Sequence, residues 1–154
     1  MVQRKCPLCR APQAPFLLHQ AVADDNFQQF SAVIEAGADL NSFNNEDLTP
    51  LQIAIMRGNQ ALVRELLIRG AHPNLFNREN PESQTPLELA IRSENFIILR
   101  YLADRVDVNK AISLDWRPIL HQAIASPHMT LILLQAGANP NARDANEATP
   151  LHVA

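Results

Sequence analysis

Apolar residues recur along this chain at helical intervals and in short runs. Leu51, Ala54 and Ile55 stand at i, i+3 and i+4, and Leu87, Ala90 and Ile91 repeat the spacing, which marks one buried face of a helix. A second stripe lies near each of these after a polar turn. Leu62, Val63, Leu66 and Leu67 form one such stripe, Phe27, Phe30, Val33 and Ile34 another, and Leu131, Leu133 and Leu134 a third. The pattern predicts second helices over 60–69, 96–104 and 127–136. Gly37, Gly70 and Gly137 stand where second helices stop, because glycine takes the left-handed conformation after a helix without a Cβ penalty.

The first helices carry start signals of their own. Thr49 and Thr85 are N-cap residues whose hydroxyls can accept an orphan backbone N–H. Pro50 and Pro86 fall at the first helical position, where a missing donor costs nothing. Gln52 and Glu88 follow their threonines by three residues, completing a capping-box pattern. Asn59 is a candidate cap for the helix after it, and Ser126-Pro127 remakes the start signal further on.

The whole unit repeats. Thr49-Pro50-Leu51-Gln52-Ile53-Ala54, Thr85-Pro86-Leu87-Glu88-Leu89-Ala90 and Thr149-Pro150-Leu151-His152-Val153-Ala154 are three copies, with weaker ones at Leu18-His19-Gln20-Ala21 and Leu120-His121-Gln122-Ala123. Their leucines are separated by 33, 36, 33 and 31 residues. A period near 33 with this motif resembles the ankyrin repeat. The resemblance covers the chain from residue 15 onward. It implies an all-α solenoid of stacked helix–turn–helix units with hairpin loops, at 15–46, 47–82, 83–115, 116–146 and a partial 147–154. One such unit buries too little apolar surface alone, so stability is expected to come from stacked neighbours. The last unit breaks off within its first helix, which suggests a truncated array.

Departures from the pattern are informative. Phe16-Leu17 replace Thr-Pro in the first unit, as in an end unit or a face on which another domain packed. The loop 77–84 is about three residues longer than standard. Ser93-Glu94-Asn95 replaces the glycine turn, and Arg105 stands where a terminating glycine belongs. Ile112, Leu114 and Trp116 occupy loop positions that are usually polar, either covering an irregular junction or making contact with a partner.

Composition narrows the function classes. The chain has 154 residues, 47% of them apolar, and a net charge of −3 with no block of five or six like charges, which weighs against the basic face that neutralising phosphates needs. No nucleic-acid role is expected. No apolar run approaches the roughly 18 residues of a membrane span, and no secretory signal is legible. A cytoplasmic monomer is expected, with the nucleus or unconventional export left open.

The tail 1–14 holds Cys6-Pro7-Leu8-Cys9-Arg10. Two thiolates at this spacing suit one zinc ion, which wants four ligands, and the sequence resembles the last ligand pair of a RING finger. There is no third cysteine. Cys6 and Cys9 therefore read as tail thiols, as the remnant of a RING domain, or as part of a zinc site or redox pair completed elsewhere. His19, His121 and His152 share one helix-start position. Stacked units lie roughly 10 Å apart, too far for shared zinc ligands, and the resemblance implies bonds from these rings to neighbouring loop backbone. His72 and His128 carry no partner motif.

No nucleophile elbow, phosphate-cradling loop or H-E-x-x-H is present, so neither an enzyme nor a cofactor is expected. The resemblance instead implies a surface for a partner protein, built from hairpin tips and the exposed side of the first helices. In the second unit this surface comprises Asn45, Glu46 and Leu48 with Met56 and Arg57. In the third it comprises Pro81, Glu82 and Gln84 with Arg92 and Ser93. Leu114, Asp115, Trp116 and Arg117 follow with Ala125 and Ser126, then Ala145, Asn146 and Ala148. Two functions fit: a non-catalytic adaptor, or the substrate-recognising part of a RING-type ubiquitin ligase whose zinc domain lay upstream.

Overall fold

The computed structural model describes residues 14–110 and 117–153. Every regular element among them is an α-helix, and the chain divides into two compact units, 1–72 and 73–154.

In the first unit, α1 (Ala14–Ala23) and α2 (Phe27–Glu35) form one antiparallel pair, and α3 (Pro50–Met56) and α4 (Gln60–Ile68) form the next. Helix α1 packs on both α2 and α3, which fuses the pairs into one core. Leu18, Ala21, Phe30, Ala54, Ile55, Leu62, Val63 and Leu66 are sealed from solvent in it. The alanines allow the close approach, since only small side chains fit between helices so near.

The second unit holds α5 (Pro86–Arg92), α6 (Phe96–Ala103), α7 (Ile119–Ala123), α8 (Pro127–Gln135) and α9 (Pro150–Val153). Here α5 packs on α6 and α7, and α8 on α6 and α7. Leu87, Ala90, Ile98, Leu99, Leu102, Ile119, Met129 and Leu133 fill the core.

Both capping boxes form as the spacing predicts. The Gln52 N–H donates to the Thr49 hydroxyl at 3.2 Å, and the Gln52 side chain accepts from the Thr49 N–H at 2.8 Å. Thr85 and Glu88 reproduce this at 3.2 and 2.7 Å. Asn26, Asn59 and Asn95 cap α2, α4 and α6, and the Asn59 amide also donates to the Asp25 carboxylate, tying successive turns together. The predicted cap at Ser126 is corrected. Pro127 does open α8, but the Ser126 side chain makes no cap bond. The shortening of this repeat falls in the helix, α7 having 5 residues against 7 in α3 and α5, and the turn closes with the Ser126 N–H on the Ala123 carbonyl at 2.9 Å. Helices α4, α6 and α8 also end one residue before the predicted limits, with Arg69, Asp104 and Ala136 as C-caps.

Gly70 follows α4 with φ +101, which lets the Ala71 N–H reach back to the Leu66 carbonyl at 2.9 Å. A Cβ there would meet no atom within 4 Å, so only backbone strain opposes a side chain. Gly70→Ala is expected to cost about 1–2 kcal/mol, measurable as a lower urea midpoint with an unchanged slope. Helix α6 shows what happens without the glycine. The Val106 N–H turns to the Leu102 carbonyl instead, and the Arg105 guanidinium donates to the Tyr101 carbonyl at 2.9 Å. A side chain thus satisfies a helix-end acceptor that a backbone amide satisfies in the other units.

Candidate protein-binding surface

Three of the hairpins that carry predicted contact residues are braced by polar side chains. The Asn44 side-chain oxygen accepts the N–H groups of Glu46 and Leu48, both at 2.9 Å, while the Asn44 N–H donates to the Leu48 carbonyl at 3.0 Å. Asp144 makes the same set with Asn146 and Ala148, at 2.9, 2.9 and 3.0 Å. Asp47 and Glu147, at matching places, take φ +60 and +58 to close these turns. Asn80 holds the Glu82 N–H in the same way at 3.0 Å.

Asp144 differs from Asn44 in bearing a charge. Burial works against that charge, but the Ala148 and Asn146 N–H groups, with His121 and Arg117 nearby, hold its carboxyl below the ordinary carboxylate range. A lowered native pKa adds stability that is present above the ordinary carboxylate range and is lost as pH falls through the lowered value. Asp144→Asn keeps the acceptor and removes the titration. The variant is therefore expected to show a shallower acid-induced fall in melting temperature than the parent chain, followed by circular dichroism from neutral pH downward.

The histidines anchor hairpins to helices. The His19 Nε2–H points at the Ser42 and Leu48 carbonyls, each at 3.0 Å, and the His121 Nε2–H donates to the Ala148 carbonyl at 2.8 Å. The loop that His152 would reach at the same spacing lies outside the described residues. The His152 Nδ1 lies 2.8 Å from the hydroxyl of its own cap residue, Thr149. Where threonine precedes, at 49, 85 and 149, the residue three positions on turns back to it. Where Phe16 and Pro118 stand instead, the histidine reaches to the next hairpin.

This anchoring shapes a groove of about 390 Å³ in the first unit. Phe16, His19, Gln20 and Ala23 of α1 form one wall. Asn44, Asn45, Glu46 and Leu48 of the hairpin form the next, and Ile53, Met56 and Arg57 of α3 close it. The structure thus brings together Asn45, Glu46, Leu48, Met56 and Arg57, all five contact residues predicted for the second repeat. Phe16 and Met56 leave 53% and 57% of their surface in water, so the groove has apolar edges ready for contact. Sequence reasoning missed the α1 wall. Its one available signal was Phe16-Leu17, an apolar pair where a polar cap belongs.

The other predicted residues lie in the second unit or outside the description. Pro81, Glu82, Arg92 and Ser93 are exposed and Gln84 is half-buried. Arg117, Ala125, Ala145 and Asn146 are exposed, with Ser126 and Ala148 half-buried. Leu114, Asp115 and Trp116 lie outside the described residues, as do Cys6 and Cys9. A second groove of about 430 Å³ was not foreseen. It runs between Val108-Asn109, Pro118-Ile119-Leu120 and 138–143. Asn109 braces it, donating to the Gly137 carbonyl at 2.9 Å and accepting from the Asn139 N–H at 2.8 Å.

Among the described residues no group of three or more His, Cys, Asp or Glu side chains is placed to hold a metal ion. No described helix is long and apolar enough to cross a membrane.

Such paired helices, with capping boxes and hairpins between them, define an α-helical repeat solenoid. The family model of ankyrin repeats, in three copies, matches residues 18–113, and the chain belongs to the ankyrin-repeat family. The mitochondrial disaggregase of Bos taurus is 30% identical over 139 residues, covering 89% of this chain and 20% of that protein. Inversin of Canis lupus familiaris is 28% identical over 143 residues, covering 88% and 13%. The transient receptor potential channel pyrexia of Drosophila melanogaster is 34% identical over 120 residues, covering 76% and 12%. The chain therefore spans a fifth or less of the length of these relatives. What they share with it is the repeat, a general protein–protein interaction module that is generally non-catalytic. The matched segment leaves out Cys6 and Cys9, on which the ligase reading rested.

Proposed function

We propose that this chain is a non-catalytic adaptor that holds a segment of a partner protein in the groove between α1, the 44–48 hairpin and α3. The observation that carries this reading is the pair of large apolar side chains, Phe16 and Met56, left half in water on a groove with a braced backbone. Apolar anchors at the centre of a contact supply most of its energy, and surrounding polar residues set its register. Glu46 and Arg57 supply opposite charges here, so a partner segment with an apolar anchor beside a basic residue suits the acidic lip. The hydrogen bonds that brace the hairpin wall lower the ordering cost of binding. A cytoplasmic monomer is the setting this reading assumes.

A photo-crosslinking amino acid placed at Met56 tests it. The same group at Ile68, which is 61% exposed on α4 and away from the groove, serves as the comparison. The reading expects a discrete partner adduct from position 56 that is weak or absent from position 68. Equal adducts from both positions, or adducts from 68 alone, would overturn it.

A further inference from the structure

Acidic side chains gather around the groove of the first unit. Glu46 lines its wall, and Asp47 stands between the wall residues Glu46 and Leu48. At the far end Asp24 follows Ala23 and accepts the side-chain amide of Gln20, itself a wall residue, at 2.8 Å. Arg57 is the one Lys or Arg among the lining residues. The segment that leads into α1 has the opposite composition. Arg4, Lys5 and Arg10 are its charged residues, and no acidic residue occurs before Asp24. Leu8 stands between Lys5 and Arg10, an apolar anchor flanked by positive charge.

Length allows the two to meet. Leu8 precedes Ala14, the first residue of α1, by six positions, a reach of about 20 Å when extended. The groove runs along α1 from Phe16 to Ala23, about 10 Å of helix. Pro12, just ahead of α1, suits the turn back that such a course needs. We infer that residues 4–10 dock in this groove as an internal competitor, with Leu8 between Phe16 and Met56 and the basic residues against Glu46 and Asp24. A partner segment must then displace them, so the inference rests on the adaptor reading of the same groove and adds its regulation. The tether decides against a second copy as the source of the segment. A segment joined to the groove wall meets its site at an effective concentration on the order of millimolar, which a second copy matches only at that protein concentration. Phe27 and Ile68, also exposed in this unit, lie outside the groove and have no basic segment joined beside them.

A photo-crosslinking residue at position 56 of the purified full chain, with no partner added, tests this. The expected product is an intramolecular adduct to residues 4–10, mapped by peptide mass, whose yield does not change with protein concentration. The same group at Ile68 is expected to give little of it. Leu8→Asp is expected to lower the yield about tenfold, and Glu46→Lys about threefold at low salt. Adding Arg10→Glu to Glu46→Lys is expected to restore it, as exchanged partners of one charge pair should. The hairpin survives the change at 46, because Asn44 holds the backbone N–H of that residue and not its side chain. No adduct to residues 4–10, or a yield indifferent to Leu8→Asp or to Glu46→Lys, would overturn the inference. So would an adduct of doubled mass that grows with concentration, which would make a second copy the occupant. A partner adduct from position 56 with no adduct to this segment would overturn it too, while leaving the adaptor reading standing.

Discussion

Phe30→Ala is expected to destabilise the first unit by about 3–5 kcal/mol. Phe30 is fully buried in α2, among the bulkiest of the completely enclosed side chains. Its loss removes the transfer energy of a ring and leaves a cavity that α2 cannot close without disturbing its Asn26 cap. A domain of this size holds about 5–15 kcal/mol in all, so the variant would lose a large part of it. Phe27 supplies the control. It lies on the same helix with its ring 5.7 Å from that of Phe30, yet is 48% exposed. Phe27→Ala is expected to cost under about 1 kcal/mol. Urea unfolding of both variants, with amide exchange over 14–72, checks the pair. Equal losses from the two would mean that Phe30 is not the packed residue its burial makes it.

Met56→Glu is expected to weaken partner binding about 100-fold, equivalent to about 2–3 kcal/mol, while the urea midpoint stays within error of the parent. The side chain projects from the last turn of α3 and is 57% exposed, so the native fold spends little on it. A bound segment would cover it, and a carboxylate there would be dehydrated without a partner. The substitution separates the binding role from folding more cleanly than any change to His19, whose ring also holds the hairpin. Titration of the crosslinked partner's segment against both chains, by calorimetry, gives the ratio directly.

Local devices were legible in the sequence because their parts lie three or four residues apart. Thr49 with Gln52, Thr85 with Glu88, and the cap at Asn59 need only the spacing to be read, and the structure contains each. The same logic misled at Ser126, whose side chain makes no cap bond although Pro127 opens α8. Glu94 and Asp25 adopt φ +52 and +56, as Gly58 does at +69. Nothing in those residues announces a left-handed backbone. Only alignment with Gly58 across the repeat reveals it. The groove was half legible for a related reason. The hairpin tip and α3 are contact positions that the ankyrin resemblance supplies, whereas the places of Gln20 and Ala23 on the wall depend on α1 packing against α3. Arg105 was visible as a missing glycine, but its bond to the Tyr101 carbonyl is a solution that only geometry shows.

Hydrogen–deuterium exchange on the full chain, with and without its crosslinked partner, tests the central claim most directly. Binding in the groove predicts slowed exchange confined to the amides of 16–23, 44–48 and 53–57, with α4 unchanged. Protection that leaves these three segments untouched and falls elsewhere in the chain would contradict the account.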